Sequence, residues 1–221
     1  MAEKRPRRTQ TERSAATREI LLKATTKCLF ERGYGATTTI MVAEMAGVSR
    51  GAMLHQFPSK ADLMTFVVEE VYAQEVALYQ TLLGHISDPR ERLVAYPEAV
   101  WKVLSRPQGV AVLEIFQGSR SDKVLAAKLA PVQAKIDAQA KEELQGEFPR
   151  GVYVPLLQLI VGAARGLSVP HVVAHLGKDP SDAIKLLQQL LQLAIEARLF
   201  SRLVNENPSA PPPARRSRSR P

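Results

Sequence analysis

The stretch Thr37-Thr38-Thr39-Ile40-Met41-Val42-Ala43-Glu44-Met45-Ala46-Gly47-Val48-Ser49-Arg50-Gly51-Ala52-Met53-Leu54-His55-Gln56-Phe57 decides the fold. It predicts two short helices, about Thr39 to Ala46 and Arg50 to Gln56, joined by a tight turn at Gly47. Thr37 or Thr38 is placed to cap the first and Ser49 the second, because a hydroxyl there accepts an otherwise unpaired backbone N–H. Pro58 disfavours helical backbone in the residue before it and so sets a stop. Two short helices can cross steeply through a three- to four-residue turn only where side chains and backbone permit it. Ala43 is small enough for close approach, and Gly47 tolerates a left-handed turn. Val42, Ala46, Val48 and Met53 then close a small core between the helices. This is the pattern of a helix-turn-helix, although an ordinary helical hairpin can share its spacing.

Outward from this segment every signal is helical. Leu21, Ala24, Thr25, Cys28 and Leu29 recur at the spacing of one inward stripe, which predicts a first helix from about Glu12 to Arg32, ended by Gly33 and Gly35. The single cysteine, Cys28, lies on that stripe and reads as core. Ser59-Lys60-Ala61-Asp62 is a capping box opening a long fourth helix that ends near Gly84. Asp88-Pro89 starts a helix to about Ser105, and a shorter one follows Pro107 to about Gln117. A long amphipathic helix is expected from Ser121 to about Gln145, bent at Pro131. The most apolar helix should run from Pro149 to about Leu176, and Asp179-Pro180 opens a last one to about Val204. No segment reads as a strand pair. The fold class is all-α, with about nine helices: an N-terminal three-helix helix-turn-helix domain followed by a helical bundle. The expected divisions are a disordered basic arm (1–13), the helix-turn-helix domain (14–65), the bundle (66–206) and a disordered Pro/Arg-rich tail (207–221).

Composition agrees. Of 221 residues, 45% are hydrophobic and only 5% aromatic, which suits a globular, helix-rich chain. The formal charge of +8 is carried mostly by the two ends. Lys4, Arg5, Arg7, Arg8 and Arg13 outnumber Glu3 and Glu12 at one, and Arg215, Arg216, Arg218 and Arg220 crowd the other. A basic N-terminal arm on a near-neutral body suggests a polyanion partner, whereas the C-terminal tail reads as solubilising. One cysteine excludes an intramolecular disulfide and a Cys-rich zinc site. The apolar run from Val152 to Leu176 is broken by Pro155, Arg165, Pro170 and His171, so it reads as a buried helix and not a membrane span. With no apolar leader, the expected location is cytoplasmic. No phosphate loop, nucleophile–base pair or metal cluster is apparent, so no enzyme is expected.

The helix-turn-helix and its flanks resemble the tetracycline-repressor (TetR) family of bacterial transcriptional regulators. The resemblance rests on Leu21-Leu22, Ala24, Gly33-Tyr34, Thr37-Thr38, Ala43, Ala46-Gly47-Val48-Ser49, Gly51, Phe57-Pro58-Ser59-Lys60 and Leu63, and covers about residues 17–68. It implies that the third helix enters the major groove of double-stranded DNA. By residue-wise carry-over, Ser49, Arg50, Gly51, Ala52 and His55 belong to the recognition helix and its cap. Thr38 and Thr39 open the second helix against phosphate, and Lys60 resembles the family's phosphate-contacting lysine. Arg50 is a candidate for bidentate pairing with guanine; a phosphate contact without base specificity is the other reading. The family commonly has Tyr where this chain has Leu54, which is left either to touch a thymine methyl or to pack inward.

The resemblance further implies a homodimer through the last two helices and a cavity for a small apolar effector, whose binding would shift the fourth helix and release DNA. In the last helix Leu186, Leu187, Leu190, Leu191, Leu193, Ala194, Leu199 and Phe200 cover more than a single buried face needs. Gly162 and Gly166 would permit close helix approach. Candidate cavity residues are Tyr96, Trp101, Glu114, Phe116, Tyr153 and Arg165. His171 and His175, four apart, could hold a metal, but no third ligand accompanies them, so neither metal nor cofactor is expected. The function read from this is a ligand-responsive, DNA-binding transcriptional regulator, a repressor of a palindromic operator. The alternative is a helical small-molecule- or metal-binding protein without sequence-specific DNA binding.

Overall fold

The computed structural model describes residues 9–143, 153–172 and 179–200. Thr9 accepts the Glu12 N–H at 3.2 Å while the Glu12 carboxylate accepts the Thr9 N–H at 2.7 Å. This capping box begins α1 (Gln10–Ala36) two residues before the sequence suggested, so residues 10–13 are helix and not part of a disordered arm. Within α1, Gly33 has φ +72, and one further turn follows the break. Then come α2 (Thr39–Ala46), α3 (Arg50–Gln56), α4 (Lys60–Leu83), α5 (Pro89–Leu104) and α6 (Pro107–Ser119). They are followed by α7 (Lys123–Glu143), α8 (Tyr153–Val172) and α9 (Ser181–Glu196). Among the described residues there is no strand.

The local signals explain most boundaries. Asp88 accepts the Arg90 N–H at 2.7 Å and caps α5 with Pro89 in the first turn. Asp122, not Ser121, begins α7: its carboxylate accepts the Leu125 N–H at 2.9 Å, while Ser121 turns its hydroxyl back to Gly118. Helix α7 runs on through Pro131. Arg198 adopts φ +54, which ends α9 at Ala197, so Leu199 and Phe200 lie past the break and do not extend the α9 face.

Two apolar clusters hold the molecule together. The first joins Leu21, Cys28 and Leu29 of α1, Val42 and Met53 of the helix-turn-helix, and Leu63 and Val67 of α4 to Ile115 of α6 and Leu125 of α7. Burial is therefore continuous across the boundary expected near residue 65: α6 and α7 pack directly onto the N-terminal helices. Cys28 is fully buried, as its place on the stripe implied. The second cluster forms where α5 packs on α8 and α9, around Val100, Val103, Ile160 and Leu191.

Candidate nucleic-acid interface and internal cavity

The helix-turn-helix is built by its own short-range contacts. Of the two candidate caps for α2, Thr38 serves: its hydroxyl accepts the Met41 N–H at 3.2 Å, whereas Thr37 is buried and donates to Gly33 O at 2.7 Å. Gly47 takes φ +65, and the chain turns back so that the Val48 N–H reaches Ala43 O at 3.0 Å. That hydrogen bond closes the turn, and a side chain at Gly47 would strain it. Ser49 then accepts the Ala52 N–H at 3.1 Å and starts α3. Met53 is the one fully buried side chain of α3, so Arg50, Gly51, Ala52, Leu54 and His55 stand on its exposed side. Leu54 is 38% exposed. Arg50 forms no ion pair among the described residues and keeps its whole guanidinium fork for an outside partner.

Thr38 is exposed and Thr39 half-buried at the start of α2, while Lys60 behaves differently from the other candidates. Its ammonium donates to Tyr34 O at 2.8 Å and lies 3.9 Å from the centre of the Tyr34 ring. Burial lowers its pKa, partly offset by Asp122. Lys60 thus fastens α4 to the end of α1, and the exposed basic residues of the α3 face are Arg50 and His55. The basic residues Lys4, Arg5, Arg7 and Arg8 lie outside the described residues.

Three side chains bind this unit to the rest of the molecule. Glu114 of α6 accepts the Tyr34 N–H at 3.0 Å. Asp122 accepts the Tyr34 hydroxyl proton at 2.7 Å; burial and this hydrogen bond push the phenol pKa up, and the Leu125 N–H and the phenol hold the carboxylate pKa down. Asp62, at the start of α4, pairs with Lys128 of α7 at 2.7 Å, and its pKa is lowered chiefly by that lysine.

Helices α4 to α8 line a cavity of about 830 Å³. Its wall includes Tyr96, Phe116 and Arg165, which the sequence pointed to. It also includes Tyr72, Glu75, Tyr79 and Arg92, which the sequence did not single out. Trp101 is turned away and meets the His171 ring edge-on at 5.3 Å, and Glu114 is engaged with Tyr34. The side chain of Tyr153, like all of His175, lies outside the described residues. No group of three potential metal ligands occurs among the described residues.

Glu75 is the unusual member of the wall. Among the described residues its Oε1 is buried without a hydrogen-bond partner, and desolvation raises its pKa to about 7 against the opposing pull of Arg165 and Arg106. Tyr79 beside it has its phenol pKa pushed far up by burial and stacks on Tyr96 with ring centres 6.0 Å apart. The Arg165 guanidinium lies 5.9 Å from the Phe116 ring centre. Arg92 donates twice to Ile86 O, at 3.0 and 2.6 Å.

A capped, glycine-turned pair of helices with an exposed arginine on the second has the geometry of a DNA-binding helix-turn-helix. Residues 21–65 match the family model of bacterial regulatory proteins, tetR family. An uncharacterized HTH-type transcriptional regulator of Mycobacterium bovis is 24% identical over 83% of this chain and 97% of its own length. The HTH-type transcriptional regulator CymR of Pseudomonas putida is 43% identical over 31% of this chain and 34% of its own. A transcriptional regulator of Rhodococcus sp. RHA1 has the same fold, with a TM-score of 0.64 at 18% identity, over 81% of this chain and 96% of its own. Residues 21–65 thus form a helix-turn-helix like that of the tetR family of bacterial regulatory proteins. Among the described residues no helix is long and apolar enough to cross a membrane.

Proposed function

We propose that two copies of this chain bind a palindromic operator as a repressor, and that a small, largely apolar molecule in the α4–α8 cavity releases them. The observation that carries the reading is the exposed face of α3, where an unpaired Arg50 stands beside Leu54 and His55 while Met53 anchors the helix from behind. Arg50 supplies the base contact, with a bidentate fork suited to guanine. Leu54 offers methyl groups to a thymine methyl. Thr38, Thr39 and Ser49, with the backbone of Gly51 and Ala52, meet phosphate and sugar. Lys60 acts on DNA through the position it gives Tyr34 and α4.

A single helix-turn-helix reads one half-site, so a palindrome needs a two-fold partner. The surface for it lies on α8 and α9. Leu186, Leu190 and Leu193 are each more than half exposed along one side of α9, while Ile184 and Leu191 face inward. On α8, Leu159 and Val169 are exposed along the side that carries Gly162 and Gly166, and a Cβ at either glycine would meet nothing. Continuous apolar surface of this kind is what a second copy covers.

Release follows from how the cavity is tied to the DNA-binding helices. Phe116 lines the cavity, and two residues earlier on the same helix Glu114 grips Tyr34. Helix α4 runs from the Lys60 anchor to Glu75 on the wall. A ligand that favours one arrangement of α4 and α6 therefore changes the separation of the two recognition helices, which is coupling through rigid elements. Selection of bound sequences from random duplex DNA tests the reading. A palindrome enriched by the wild type and not by Arg50→Ala is expected, and no enrichment even at low salt overturns it.

A further inference from the structure

The cavity wall is mostly aromatic and aliphatic, yet it contains a buried acceptor that the fold leaves unsatisfied. Among the described residues Glu75 Oε1 has no hydrogen-bond partner, and Arg165, the opposing charge that acts most strongly on it, forms no ion pair with it. A buried acceptor without a donor is unfavourable. At about 830 Å³ the space lies within the roughly 300–1,000 Å³ typical of small-molecule sites. The other charged groups of the wall have their own engagements: Arg92 donates to Ile86 O, Asp137 accepts from Gln133, and Arg165 lies over Phe116. The missing partner is thus a donor, which a ligand in the cavity can supply.

We infer that the cavity selects an apolar molecule bearing a protonated amine, which donates to Glu75 Oε1 and rests against the Tyr79 and Tyr96 rings. This rests on the reading of the cavity as the effector site and names the chemistry of that effector. An ammonium supplies both the absent N–H and the charge that keeps the carboxylate ionised in a desolvated place. The stacked tyrosine rings offer π-faces that attract a cation. An alcohol supplies one donor and no charge. A carboxylic acid reaching Arg165 would leave Oε1 unsatisfied and set a second negative charge in the same cavity.

The test compares three probes with one apolar body: 4-phenylbutylamine, 4-phenylbutan-1-ol and 4-phenylbutyrate. Each is titrated calorimetrically into the full-length protein. The amine is expected to bind at least about ten-fold more tightly than the other two, a difference of about 1.4 kcal/mol. Glu75→Gln should bring the amine down toward the affinity of the alcohol, and an unchanged helical circular-dichroism spectrum reports that the variant is folded. The wild-type ranking stands without any variant, so a poorly folded Glu75→Gln protein does not spoil the test. A carboxylate that binds most tightly and loses affinity in Arg165→Gln overturns the inference and leaves the effector cavity standing, as does an alcohol equal to the amine. If none of the three binds at millimolar concentration, both readings fall.

Discussion

The Glu114 carboxylate accepts the Tyr34 backbone N–H at 3.0 Å, joining α6 to the last turn of α1. Phe116, two residues on, lines the internal cavity. This hydrogen bond is one connection between the helix that carries the cavity wall and the helices that present Arg50. Removing the acceptor leaves a part-buried N–H unpaired, which typically costs about 1–3 kcal/mol. Glu114→Ala is therefore expected to lower the melting temperature. It should also weaken the dependence of DNA affinity on effector, measured as the ratio of dissociation constants with and without ligand. An unchanged ratio would show that α4 alone carries the coupling.

Gly118 lies under the Tyr34 ring, and a Cβ there would run into the ring atoms. Gly118→Ala should overpack this junction at a cost of about 1–3 kcal/mol in denaturant unfolding. In a Tyr34→Ala background, where the ring is gone, the same substitution should cost little. A double-mutant cycle measures the difference, and additive effects would place the strain elsewhere.

Arg50→Ala deletes the free cation of the α3 face without touching Met53 or the Ser49 cap. Loss of a bidentate base contact is worth about 1–3 kcal/mol, or roughly ten- to a hundred-fold in operator affinity. Fluorescence anisotropy with a selected duplex and with a scrambled one distinguishes the two roles of this side chain. A base contact weakens the selected duplex preferentially; a phosphate contact weakens both alike.

Leu190 is 53% exposed between Leu186 and Leu193 on the outward side of α9. Leu190→Glu should give a folded monomer by light scattering, with melting shifted only as far as the lost interface requires. Its affinity for the full palindrome should fall toward that for a half-site. A dimer that persists in this variant would move the interface away from α9.

The Glu75 carboxyl has a pKa of about 7 in the folded chain against 4.5 when unperturbed, because burial disfavours its charge. A raised carboxyl pKa gives stability that is fully present below the unfolded value and is lost as pH rises through the folded one. Wild-type stability should accordingly fall by about 3 kcal/mol between pH 4.5 and 7 on account of this group, at about 1.4 kcal/mol per pKa unit. Arg165 and Arg106 face the same carboxyl and reduce the effect. Glu75→Gln should flatten that part of the profile in chemical denaturation. Asp62 and Asp122, with lowered pKa values, lose their contributions only at more acid pH, so the windows do not overlap.

Much of this molecule was legible because its information is local. Thr38, Ala43, Gly47, Ser49 and Met53 fall within sixteen residues, and the capping, turning and packing they specify are completed among themselves. Helix starts at Asp88 and Ser59 were readable for the same reason. The misread starts also had local causes: the Thr9–Glu12 box and the Asp122 cap compete with neighbouring residues that can do the same work.

The site away from α3 was less legible. Glu75 is one polar position on an amphipathic helix, and sequence spacing does not tell a solvated carboxylate from a desolvated one. Its state depends on α8, about ninety residues away, closing the cavity with Arg165. Glu114 was read as a cavity residue because it is polar within an apolar stretch; the packing of α6 on α1 turned it to Tyr34 instead. Lys60 fits a phosphate-contacting position by motif, yet its ammonium folds back on Tyr34. By itself the sequence determined the helices, their caps and the outward face of α3, since these rest on contacts within a few turns. The tertiary structure alone decided which charges are buried, which are paired and which face the cavity, because desolvation is a property of what packs around a group and not of the residue type.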